Sequence, residues 1–144
     1  MVAADTNSEP LIPSPEGLLA LLLLAVKRGA RASSLLQHAP ELVEALCPER
    51  RFPGLDLSAR AFEAERDIRA AIDSLDDNLA GYLLTVLALA PNTYRVNLTV
   101  RLETAGSQYF GIGVRMARSK KWKEEKLGHL AFSLYERLQQ HHEG

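Results

Sequence analysis

This chain has few of the residues that announce a chemistry. Cys47 is its only cysteine; one thiol cannot close an internal disulfide, which fits a reducing compartment and makes the cytoplasm the default location. His38 and His129 are scattered, and His141-His142 have no further ligand in sequence reach, so no zinc motif is present. The carboxylates Asp73, Asp76 and Asp77 lack EF-hand spacing and read as helix caps; no metal is assigned. There is no glycine-rich phosphate loop, no nucleophile elbow and no carboxylate pair at a recognised spacing. An enzyme is therefore the weakest class, and neither a cofactor nor a small-molecule substrate is evident.

Long apolar runs and net charge are missing too. Leu18 to Val26 is much shorter than the roughly 20 residues that span a bilayer, and Lys27-Arg28 closes it, so no membrane partner is expected. Asp5 and Glu9 stand where a secretory signal carries basic residues, which argues against one. With 17 Lys and Arg against 18 Asp and Glu, the formal net charge is -1. The molecule as a whole has no pull toward phosphate, and any nucleic-acid site has to be local.

What remains is a chain of 144 residues, 47% of them hydrophobic. That suits one domain burying roughly 68 to 70% of its unfolded surface. Residues 1–14 read as a flexible leader, and 15–140 as a single helical domain. Ser14-Pro15-Glu16 supplies a cap, a first-turn proline and an acid for a helix to about Arg28, stopped by Gly29. Its leucines go nearly all the way around, so it is expected to be covered on most sides or to meet a partner chain. Ser33 to His38 and Pro40 to Leu46 read as two short helices, and 48–57 as a loop. Ser58 is a plausible cap for a helix to about Ser74 carrying Phe62, Ile68, Ile72 and Leu75 on its apolar face. Glu65 and Arg69 form a surface pair on its other side. Asp76-Asp77-Asn78 recaps the chain for a helix bearing Leu79, Tyr82, Leu83, Val86 and Leu87.

From Tyr94 two periods compete. Tyr94, Val96, Leu98, Val100 and Leu102 alternate with polar residues, as do Phe110, Ile112, Val114 and Met116, and Ala105-Gly106-Ser107 between them would close a β-hairpin. Yet Leu98, Leu102, Ala105, Tyr109 and Ile112 fall at helical spacings, with Asn97 or Thr99 as cap and Gly111 and Gly113 for a tight turn. Thr104 and Gly106 are poor helix formers. Periodicity leaves both readings open.

Ala105-Gly106, Phe110-Gly111-Ile112, Arg115, Arg118, Trp122-Lys123-Glu124-Glu125, Leu127, Leu130-Ala131 and Leu134-Tyr135 form a pattern. Through it, residues 75–138 resemble a helical domain of actinobacterial-type regulatory and effector-associated proteins. Ser107 is the small residue four before the turn glycine, while Lys120 departs from the pattern where a buried residue is usual. The resemblance implies a mainly α fold whose residues 97–138 are helix-turn-helix-like. The alternative is an α+β fold with a hairpin at about 94–116.

On the helical reading, Gly113 begins a recognition helix over 113–123. It would present Arg115, Arg118, Ser119, Lys120, Lys121 and Lys123 to DNA, with arginines reading guanine and lysines on phosphate. A solvated face with Lys120–Glu124 and Lys121–Glu125 pairs is the competing reading, and Trp122 is expected to anchor the helix to the core. The expected function is a small non-enzymatic regulatory protein that binds DNA. The alternative is a helical interaction or adaptor module, associated with an effector or defence-type protein or self-paired as a homodimer. It would use Leu18 to Val26 or the stripe Leu127, Leu130, Ala131, Leu134 and Leu138.

Overall fold

The computed structural model describes residues 12–93 and 95–143, which form eight helices and no strand. They are α1 (Pro15–Ala25), α2 (Ala32–His38), α3 (Pro40–Leu46), α4 (Leu57–Asp73), α5 (Asp77–Val86), α6 (Leu98–Phe110), α7 (Val114–Ala117) and α8 (Lys120–Glu143). The mainly α reading holds, and the hairpin at 94–116 is not formed: α6 takes the helical period, capped by Asn97, whose side chain accepts from the Val100 amide at 3.0 Å. Of the expected leader, residues 1–11 lie outside the described residues, and Ile12 packs against the core.

The α1 start follows its signal, with the Ser14 hydroxyl accepting from the Gly17 amide at 3.0 Å ahead of Pro15. The helix ends at Ala25, sooner than Arg28, and Gly29 turns the chain at a φ of +97°. A side chain there would be strained and would meet Ala88 at 2.9 Å. Leu18, Leu22 and Ala25 are buried against α3 and α8, and Leu24 is exposed. The α8 stripe Leu127, Leu130, Ala131, Leu134 and Leu138 is buried within the same core. The buried side of α1 and the α8 stripe thus pack within the protein itself, while Leu24 faces outward.

Two expectations for α4 are corrected. Its cap is Asp56, which accepts from Ala59 N–H at 2.9 Å, and Ser58 already sits inside the helix. Its buried face is Ala61, Ala64, Ile68, Ala71 and Ile72, whereas Phe62 is 62% exposed. Phe62 lies one residue, about 100°, off that stripe, and small alanines let α4 approach α2 and α3 closely. Glu65 is more than a surface partner of Arg69: its other oxygen accepts from the Ala32 amide at 2.8 Å and so caps α2.

Arginines hold the helix C-terminal carbonyls. Arg31 donates to Ala88 and Ala90 after α5, Arg51 to Leu46 and Arg60 to Cys47 at the end of α3, and Arg101 to Val26 and Lys27 at the end of α1. Each places positive charge where the helix dipole is negative and satisfies a carbonyl left without an in-helix donor.

Candidate nucleic-acid interface

The expected reading surface begins at the end of α6. Gly111 adopts the left-handed conformation at a φ of +63°; its N–H donates to Ser107 O at 3.1 Å, and Ile112 N–H donates to Gly106 O at 3.2 Å. The turn glycine does what was expected of it. Gly106 earns its place differently. A β-carbon there would stand 3.0 Å from both Ala117 and Ile112, so the bare position lets α7 fold back closely onto α6.

The recognition helix over 113–123 is not formed. α7 is a single turn ending at Ala117, which is buried against Gly106, and the chain breaks at Arg118-Ser119 before α8 begins. The break has a local cause: the Ser119 hydroxyl accepts from the Trp122 amide at 3.3 Å, a helix-capping bond that competes with continuation of α7. Ser119 is spent as a cap.

The cationic run accordingly divides. Arg118 donates from Nε to Glu103 of α6. Lys120 pairs with Glu124 at 3.7 Å, one of the two surface pairs expected. Lys126 stands 4.3 Å from the Trp122 ring centre and 4.9 Å from that of Phe110, a cation over two aromatic faces. Trp122 is half-buried, edge-on to Phe110 at 5.4 Å, and Phe110 is edge-on to Tyr82 at 5.5 Å, so the tryptophan anchors α8 to the core. Arg115 and Lys121 are exposed and form no ion pair.

Lys123 and Arg118 lead into a feature that the linear pattern did not reveal. They line a cleft of about 920 Å³ together with Lys27 and Arg28 after α1, Arg95 ahead of α6, and Arg101 within it. Among the described residues that line the cleft Glu103 is the one carboxylate, and it is already engaged by Arg118. Among the described residues, Lys27, Arg28, Arg101, Arg118 and Lys123, from three separate segments, therefore face one acid. Walls that exclude solvent focus the field of such a charge set. Lys27 and Arg28 looked only like the end of an apolar run, and Arg101 like the polar face of a strand. Once α6 is taken as a helix, Arg101 falls inside the Leu98, Leu102, Ala105 stripe, which is the signal that it is buried.

Arg101 is 2% exposed, and burial lowers its pKa. Its Nη2 donates at 2.9 Å and 3.0 Å to Val26 and Lys27, while its Nε has no hydrogen-bond partner. Among the described residues no group of His, Cys, Asp and Glu is placed to hold a metal ion, and no helix is long and apolar enough to cross a membrane. No protein-family model, curated protein or solved structure matches the chain.

Proposed function

We propose that this protein is a small non-enzymatic regulatory protein that binds DNA, chiefly through phosphate contacts from the face formed by α7, the start of α8 and the adjoining cleft. The observation that carries this reading is the local charge imbalance among the described residues that line the cleft: Lys27, Arg28, Arg101, Arg118 and Lys123 against a single paired carboxylate, in a chain of net charge -1. The exposed, unpaired Arg115 and Lys121 extend the positive surface onto α7 and α8. The resemblance of residues 75–138 to helical domains of regulatory proteins points the same way. A one-turn α7 is too short to lie along a major groove as a recognition helix, so phosphate contacts, including those of Arg115 and Lys121, supply most of the affinity.

The test is a mobility-shift titration with mixed genomic fragments at several salt concentrations. Binding is expected to weaken steeply with salt, and Arg115→Ala with Lys121→Ala to flatten the log-log slope by about 1.8, at about 0.9 per lost phosphate contact. Salt-independent binding, or binding untouched by the double substitution, would overturn the reading.

A second reading, a helical protein-interaction module, draws on α7 as well. Val114 and Met116 are 53% and 50% exposed on that single turn, an apolar surface beside the cations. A pull-down in which Val114→Ser with Met116→Ser releases a partner, while DNA retention is unchanged, would favour it.

A further inference from the structure

We infer that the cleft between the C-terminal end of α1 and the N-terminal turn of α6 is a binding site for a phosphoryl group, with Arg101 at its floor and Lys27 and Lys123 at its rim. Arg51, Arg60 and Arg69, the last through Leu89 O, each hold a helix-end carbonyl and also have a carboxylate: Arg51 with Asp67, Arg60 with Glu44, and Arg69 with Glu65. Arg101, the most buried, has none; it has two carbonyls and an Nε without a partner. Carbonyl dipoles satisfy hydrogen bonds but do not neutralise a desolvated charge. The missing counter-charge has a natural place, since Arg101 lines the cleft where, among the described residues, every other charge except the engaged Glu103 is positive.

The backbone adds to this. Asn97, Leu98 and Thr99, at the start of the 13-residue α6, line the same cleft. The Asn97 side chain satisfies the Val100 amide, and the amides of Leu98 and Thr99 are among those left without an in-helix acceptor, at the positive end of the dipole. An oxyanion there would accept from those amides and from lysine, and would offset the guanidinium charge. The cleft volume admits a phosphate ester larger than phosphate itself. The site does not depend on the DNA reading, because the phosphoryl group can arrive on a small phosphate ester or on a nucleic-acid strand.

The experiment uses the full chain and inorganic pyrophosphate, compared with sodium chloride at matched ionic strength and followed by calorimetry and thermal unfolding. Saturable binding with a rise in Tm is expected from pyrophosphate alone. Lys27→Gln and Lys123→Gln, both at the rim, are expected to weaken it about tenfold each, while Arg115→Gln with Lys121→Gln, outside the cleft, leaves it unchanged. Arg101→Lys, which keeps the charge but loses the fork, is expected to weaken it as well; if that variant fails to fold, the two rim variants decide. A Tm response no greater than that of the matched salt, or equal loss on substituting inside and outside the cleft, would overturn the proposal. A duplex that displaces pyrophosphate assigns the group to nucleic acid, and simultaneous binding of both assigns it to a small ester; the site stands in either case. Pyrophosphate binding without duplex binding would remove the DNA reading alone, and the converse would remove the cleft site alone.

Discussion

Arg118 is turned back onto Glu103: its Nε donates to the carboxylate of α6 across the break between α7 and α8. The pair is half in solvent, so it adds little to stability, on the order of 0 to 1 kcal/mol. Its consequence is electrostatic, because it occupies one of the cations that a polyanion would otherwise meet. Glu103→Gln removes the only acid among the described residues that line the cleft and frees Arg118. Duplex affinity at low salt is expected to rise about three- to tenfold, the gain shrinking as salt screens it, with Tm nearly unchanged. A mobility-shift titration at two salt concentrations checks this, and a fall in affinity would mean that Glu103 positions Arg118 for binding.

Two glycines within helices should respond to alanine in opposite senses. A β-carbon on Gly81 would stand 2.2 Å from Cε1 of Tyr109, so α5 and α6 approach each other across that bare position. Gly81→Ala is expected to destabilise by about 1 to 3 kcal/mol as the ring is pushed aside. Gly128 in α8 has nothing within 4 Å of its would-be β-carbon. Gly128→Ala is expected to stabilise by about 0.8 to 1 kcal/mol, the helix-propensity difference. Urea denaturation of both variants measures the contrast.

Most of the helical framework was legible because its signals are local. Ser14-Pro15, Asp76 and Asn97 sit at caps, Pro40 at a first turn and Gly111 at a left-handed stop, each acting through its nearest backbone neighbours. The hairpin alternative could not be dismissed on pattern, since alternation and helical spacing share Leu98, Leu102 and Ile112; tertiary packing of α6 against α5 decides it. What escaped the sequence is assembled from distant segments. The cleft joins residues near 27, 95, 101 and 123, and no window contains them together. The recognition helix is interrupted for a local reason carried by one residue: the Ser119 hydroxyl, a contact group on the helix-turn-helix reading, caps α8 instead.

The same competition between neighbouring polar residues gives a test at α4. Asp56 accepts from the Ala59 amide, whereas Ser58 is one residue inside the helix and makes no capping bond. Asp56→Ala is expected to cost about 1 kcal/mol, and Ser58→Ala less than about 0.5 kcal/mol. Equal losses in chemical denaturation would place the helix start at the serine.

Two buried acids are expected to make stability fall at alkaline pH. Burial, reinforced by the charge of Asp67, pushes the Cys47 thiol from an ordinary 9.0 up to about 12, and burial pushes the Tyr82 hydroxyl from 10.0 up to about 12. The Cys47 sulfur lies 3.7 Å from Asp67 Oδ2. Both folded values are raised, so the native state keeps its protons at a pH where the unfolded chain has released them. Stability from these groups is therefore complete below pH 9.0 and lost as pH climbs toward about 12. The urea midpoint is expected to fall across that window, Cys47→Ala to remove the early part of the fall and Tyr82→Phe the later part. Native protein should also resist thiol-directed reagents until it unfolds, because the nucleophile is the thiolate and the folded thiol does not ionise. A flat midpoint, or labelling of folded protein as fast as of unfolded, would show that Cys47 is reached by solvent.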